Sequence, residues 1–315
     1  MSMVLSLERY KRIERSALAL IFLCLFVILW GAFVRFSHSG DGCGESWPLC
    51  HGAIVPLIGG SAVWIEYVHR ITSGLFGIGV AVLVLYIFCG MRERGQVHNF
   101  SLAVLFFTIT EALIGAGLVL RGMVADNASL ERMYWLIGHL INTLFLLYFL
   151  VALFIQAKFP SWKIPFIPAL RYSLPLLFFI AIAMFGSVAS LSGTLYPSVD
   201  LFNDFAKDFS SESPLLIRLR ILHPCLGILF FLSLVLLWNP YREIRFQFEG
   251  MFRGAMLVSL VGATALVGLM TLLMLSPLPA RLLHLLFADL VWLYLVALAL
   301  CVGKEGEEMG LRKSH

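Results

Sequence analysis

Four of the eight histidines, His69, His139, His223 and His284, fall inside long apolar runs. An ionisable ring within a membrane span is costly and faces the interior of a bundle where function requires it. The four occupy alternate runs, one each, and each lies one to two turns from the same end of its run. They therefore share one depth. A lone histidine there reads as an interhelical hydrogen bonder, but four at matched depth, two in each half of the chain, read as paired axial ligands. Imidazoles from facing helices of a four-helix bundle hold haem iron in this way. Zinc requires more ligands per site, and neither cysteine nor carboxylate stands at that depth in sufficient number. The spacing thus predicts two bis-histidine haem sites, His69 with His139 and His223 with His284.

Glu66 opens the second run in "WIEYVHRITSG", three residues before His69 and on the same helix face. A carboxylate there can take protons from an attacking water; it can equally be an acid favoured by the helix dipole. The other half has Arg220 three residues before His223, so the halves differ chemically. Arg35, Arg70, Arg121, Arg132, Arg218, Arg220 and Arg281 gather near the same ends of the runs. Guanidinium binds carboxylate bidentately, so two or three of them are expected on haem propionates, Arg70 first because it adjoins His69; snorkelling is their ordinary role. Glu111 and Asp289 are read as structural acids. "GDGCGESWPLCHG" places Cys43 and Cys50 in one polar loop, where they can form a short disulfide, a structural staple or a redox-active pair.

The elements that position these groups follow from composition. The 315 residues are 60% hydrophobic and 13% charged, with mean hydropathy +0.91. A soluble domain cannot bury so much apolar surface, and runs of about 20 residues cross a bilayer as helix. The fold class is an all-α integral membrane protein with eight transmembrane helices, at 16–34, 66–90, 100–120, 134–156, 172–191, 216–238, 251–275 and 281–302. Alternating ten-residue segments are absent, which excludes a β-barrel. Most Lys and Arg, including Arg92, Arg242, Arg245 and Arg253, fall on the side of the two termini, which are therefore placed in the cytoplasm. The net charge of +4 reports this topology and calls for no nucleic acid. The first run has no small-residue cleavage site after it and is read as a permanent helix.

Residues 158–171, with three prolines, divide a half at 1–157 from a half at 172–315. Ala112-Leu113-Ile114-Gly115 is echoed by Ala265-Leu266-Val267-Gly268, and His139-Leu140 by His284-Leu285. The offsets, 265 − 112 = 153 and 284 − 139 = 145, indicate two duplicated four-helix bundles in parallel orientation.

With these residues assembled, the chain resembles the haem A synthase family of the bacterial type. The resemblance rests on "HSGDGCGESWPLCHG", "EYVHR", "EALIGAGLVL" and a histidine near the start of each later even-numbered span. It implies oxidation of the C8 methyl of haem O to a formyl group by two successive water-derived hydroxylations, for cytochrome oxidase biogenesis. It implies haem O as substrate between His69 and His139, Glu66 as the catalytic carboxylate, haem b between His223 and His284, and Cys43 and Cys50 as the loop pair. The implied partners are haem O synthase (a prenyltransferase), cytochrome oxidase assembly factors and a quinone or other electron acceptor, in a bacterial cytoplasmic membrane. The loop becomes a lid over the substrate haem, packed down by Trp47 and Pro48.

Three features depart from the family pattern. The loop after the fifth span has no cysteine pair; its Leu201, Phe202, Phe205 and Phe209 predict a short interfacial amphipathic helix. Pro224 follows His223 where relatives carry arginine, and Glu111 stands where relatives often carry glutamine. The rival readings are a bis-histidine di-haem cytochrome in quinol electron transfer, which leaves Glu66 idle, and a cofactor-free transporter, whose polar groups should lie at the midplane.

Overall fold

A computed structural model describes residues 2–56, 59–91, 94–168, 170–236 and 254–313. Arg92, Arg242, Arg245 and Arg253, and the ends of the sixth and seventh spans expected at 238 and 251, lie outside the described residues. Ten helices are described: α1 Ser2–Phe36, α2 Ser61–Gly90, α3 Gln96–Leu120, α4 Leu130–Lys158, α5 Leu170–Leu195, α6 Leu201–Phe209, α7 Leu215–Arg220, α8 Leu222–Leu236, α9 Gly254–Leu273 and α10 Leu278–Lys313. Among the described residues there is no strand beyond the isolated Cys50–Ala53 bridge. Eight helices among the described residues are long and apolar enough to cross a membrane, α7 and α8 together making the sixth. Helix is the form that satisfies a spanning backbone internally.

The sixth span breaks at Ile221, directly before His223-Pro224. Proline lacks the N–H that would continue the ladder but is tolerated in a first turn, so the helix restarts as α8 with Pro224 near its beginning. The expected interfacial helix is present as α6. Asp200 caps it by accepting from the amides of Phe202 and Asn203, while Phe202, Phe205 and Phe209 lie exposed along one side.

Helices α1 to α4 pack in a closed ring, each against the next and α4 back on α1; α5, α8, α9 and α10 do the same. The rings meet through α4 on α5 and through α10 on α1 and α4. Trp292 of α10 is buried at that seam, stacking on Phe179 at 5.5 Å and donating its indole N–H to the carbonyl of Leu144 at 2.9 Å.

The main apolar core lies on one side of the histidines. It contains Ile13, Leu20, Val80, Ile87, Phe100, Val104, Leu147, Leu153, Leu176, Phe230, Leu257, Trp292 and Leu300. Each of these stands between the histidine level and the chain termini's face of the bundle. On the loop face a small second cluster, Met133, Val188, Leu191 and Leu216, closes the structure. Dense packing therefore anchors one end, and the histidine layer separates it from the loops. Replacing Trp292 with alanine should cost about 3–5 kcal/mol, read as a lower unfolding temperature in detergent; Trp292→Phe, which keeps an aromatic on Phe179, should lose less.

Candidate functional site

Each of the four histidines meets a glycine on the preceding span. A Cβ built on Gly31 of α1 would lie 2.8 Å from the His69 ring; on Gly186 of α5, 3.0 Å from His223; on Gly268 of α9, 2.8 Å from His284. On Gly115 of α3 it would lie 3.9 Å from His139, an ordinary contact. The reason is visible in the second half. His223 Nδ1 pairs with the carbonyl of Ile182 at 3.0 Å, and His284 Nδ1 with that of Thr264 at 3.1 Å. Those carbonyls lie four residues before Gly186 and Gly268. In a helix the carbonyl of residue i sits beneath residue i+4, so glycine there leaves its flank open to a ring. With Nδ1 engaged as donor, Nε2 is left as the nitrogen available to a metal.

The two rings stand with centres 5.9 Å apart and planes 80° apart. Imidazoles binding one iron from opposite faces, with bonds of about 2 Å, place their centres roughly 6 Å apart. The second-half pair therefore fits a bis-histidine haem. In the first half the Nδ1 atoms of His69 and His139 differ from these. His69 Nδ1 is buried without a hydrogen-bond partner, and His139 Nδ1 lies 3.3 Å from Glu111 Oε1, off hydrogen-bond alignment.

Glu66 is buried, 3% exposed, one turn on the loop side of His69. Its Oε2 accepts the backbone N–H of Cys43 at 2.7 Å, and its Oε1 accepts from Arg70 Nε and Nη2 at 3.1 and 2.5 Å. Arg70 Nη1 also donates to the carbonyls of Ser46 and Leu49, at 2.6 and 2.7 Å. Glu66 and Arg70 thus form a latch that pulls the loop onto α2. Arg70, expected on a propionate, spends its donors here. Cys43 and Cys50 are joined in a disulfide, Cα–Cα 4.5 Å, and both are buried, so solvent exposure gives this bond no lability. Trp47 is 42% exposed: the latch and the buried disulfide hold the lid down, rather than the expected packing of Trp47.

Three other arginines converge at this level. Arg35 Nη2 donates to Ser190 Oγ at 2.7 Å; Arg281 donates to Thr194 Oγ1 at 2.5 Å and to the Ser190 carbonyl at 3.1 Å. Both stack on Phe36, with centroid distances of 5.0 and 3.7 Å, so one cluster joins the two rings. Arg132 donates to the carbonyls of Ala125 and Asn127. Among the described residues none of the three forms an ion pair, and the Nε atoms of Arg35 and Arg132 are buried without a partner. These are donors suited to carboxylates.

The COX15-CtaA family of cytochrome oxidase assembly proteins matches residues 14–296. The chain belongs to this family. It is 34% identical over 284 residues to a protein named Protoheme IX farnesyltransferase from Thermus thermophilus, covering 87% of this chain and 46% of that relative. It is 36% identical over 96 residues to the Heme A synthase of an Exiguobacterium species, 30% of this chain and 32% of the relative. Against the Heme A synthase of Alkalihalophilus pseudofirmus it is 38% identical over 98 residues, 31% of this chain and 33% of the relative. The chain thus spans less than half the length of these curated relatives. The haem A synthase resemblance read from the sequence is borne out by these matches, and the disulfide fits the cysteine pair of that type.

Family membership and geometry together sort the expected site residues. Glu66, Arg70, Cys43 and Cys50 form one connected unit beside His69, and His223 and His284 form a pair. Gly31 and Gly186 escaped sequence reasoning, although their offsets match those of the expected repeat: 186 − 31 = 155 and 268 − 115 = 153, alongside 223 − 69 = 154 for the histidines. Removing the latch with Arg70→Ala should free residues 40–52, since broken buried hydrogen bonds cost about 1–3 kcal/mol. Amide exchange in that loop should speed roughly tenfold or more by the same principle; exchange at the wild-type rate would show that the disulfide alone holds it.

Proposed function

We propose that this chain is a haem A synthase, taking haem O as substrate between His69 and His139 and haem b as resident cofactor between His223 and His284. The single observation that carries this reading is the joining of a histidine layer fitted to haem with a buried carboxylate, Glu66, beside it under a latched loop. The histidines and arginines alone equally serve an electron carrier; Glu66, Arg70 and the disulfide loop add a proton-handling group that such a carrier does not require.

The overall change is R–CH3 + H2O → R–CHO + 4 H+ + 4 e−, in two successive water-derived hydroxylations through the alcohol. Haem b supplies one-electron redox chemistry when bound. The protein's own residues supply the rest. Arg70 fixes the Glu66 carboxylate and balances its charge, while the Cys43 N–H occupies Oε2. Glu66 takes a proton at Oε2 when that amide lets go, so lifting of the loop and proton removal are linked at one atom. Arg35, Arg132 and Arg281 are the donors placed for propionates, in preference to Arg70. The asymmetry of the halves supports the assignment of sites. Both second-half rings are fixed by carbonyls, as suits a resident group, whereas His69 is unanchored at Nδ1, as suits a substrate that must leave.

The halves are proposed as duplicated bundles, supported by the matching rings of packed helices, in a bacterial cytoplasmic membrane with both termini cytoplasmic. Haem O synthase is the proposed supplier of substrate; the Thermus relative, named for farnesyl transfer and about twice as long as the matched segment, supports that pairing. A quinone or other acceptor takes the electrons, and cytochrome oxidase assembly factors take the product.

The test is chromatography of haems extracted from membranes carrying this chain together with a haem O synthase. Wild type should yield haem A, and Glu66→Ala haem O without haem A; haem O and haem B from both would leave an electron-carrying cytochrome. Gly268→Leu places a side chain where the His284 ring stands and should remove the second-half haem. Its loss is read as a fall from two to one bis-histidine equivalents in the absorption spectrum, and an unchanged spectrum would place that haem elsewhere.

A further inference from the structure

Three of the four ligand rings lie hard against their glycines; His139 does not. Gly115 stands four residues after Glu111, so the architecture used by His223 and His284 would offer the Glu111 main-chain carbonyl to His139. The ring has instead drawn away from Gly115, with 3.9 Å to a built Cβ against 2.8–3.0 Å for the others, and its Nδ1 faces the Glu111 carboxylate at 3.3 Å. That nitrogen is buried and makes no hydrogen bond, the Glu111 carboxylate being near it but off alignment. The carboxylate is itself built in. Asn142 Nδ2 donates to Oε2 at 2.6 Å, the Thr143 hydroxyl donates to Oε1, and Thr110 orients Asn142 through its side-chain oxygen at 2.6 Å. In the other half the residue at the same offset is Thr264 (264 − 111 = 153), which gives His284 only a carbonyl.

We infer that Glu111 is a positioning residue for the first-half haem: its carboxylate, 3.3 Å from His139 Nδ1, takes that N–H when the ring turns onto an iron, directs Nε2 to the metal and loads that ligand with negative charge. This inference rests on the reading of His69 and His139 as a haem site. A carboxylate behind an axial imidazole makes it a stronger donor and stabilises the oxidised metal, whereas a backbone carbonyl does so less. The first-half iron is therefore held at a lower midpoint potential than an equivalent carbonyl-backed pair. The difference between Glu111 and Thr264 makes the substrate half the better electron donor and the haem b half the better acceptor, which is the direction that oxidation of the substrate requires.

The test uses the full chain in detergent, reconstituted with two equivalents of haem B. In Glu111→Gln, which keeps one acceptor oxygen in place but removes the charge, one midpoint should move to more positive potential and the other stay fixed. The ferric low-spin resonance of that same centre should change its g-spread. Glu111→Ala should further weaken haem B binding at that site by about ten- to hundredfold, as loss of an outer-shell partner does. Unfolding temperatures of the haem-free variants close to wild type would exclude a general loss of fold. Two haems bound with both potentials and both resonances unmoved in Glu111→Gln would overturn the inference alone. Failure of the wild type to take up a haem at the first-half histidines would remove the site reading, and the inference with it.

Discussion

A buried imidazole has two nitrogens, and both must be answered, because an unpartnered polar atom in an apolar bundle costs free energy comparable to a lost hydrogen bond. In a spanning helix the nearby main-chain carbonyls are already used in the ladder, yet each keeps a second lone pair. Glycine four residues on uncovers that lone pair. The second-half rings, His223 on Ile182 and His284 on Thr264, meet this constraint at Nδ1 and so leave Nε2 available. The close approach of each ring to its glycine sets the helix spacing at that level, and the main core ends at the same plane.

The first half meets the same constraint differently. Glu111 stands in for a carbonyl behind His139, and His69 is left unanchored at Nδ1. Beside it, Glu66 and Arg70 are neutralised by each other and by the loop, so a carboxylate and a guanidinium share a site that neither could occupy alone. The disulfide shapes the loop into a cap that offers one amide and two carbonyls in register with that pair. Chemistry and closure are thereby built from the same few atoms.

Much of this was legible in the sequence for plain physical reasons. Apolar runs of bilayer length define spans almost independently of tertiary contacts, so the eight helices and the depth of His69, His139, His223 and His284 could be read directly. Glu66 was visible because three residues place it on the His69 face. Arg70 was drawn to a propionate because four residues from Glu66 is equally the spacing of an ion pair, and the sequence cannot say which partner takes the guanidinium. Gly31 and Gly186 were not singled out; their role depends on which ring lies across the helix, a tertiary fact. Glu111 was read as a cross-helix bond, which Asn142 and Thr143 make real, but its facing of His139 needs the rotation of α3 against α4.

The placement of the main core has a mechanical consequence. Leu147, Leu153, Trp292 and Leu300 clasp the helices at the end away from the loops, while the small cluster of Met133, Val188, Leu191 and Leu216 closes the other. A bundle so fastened behaves like tongs with the pivot at one end: the tips can part while the clasp stays shut, since local opening follows local packing. Under the proposed function, a flat molecule as large as a porphyrin would pass between the tips, with the loop latch as the catch.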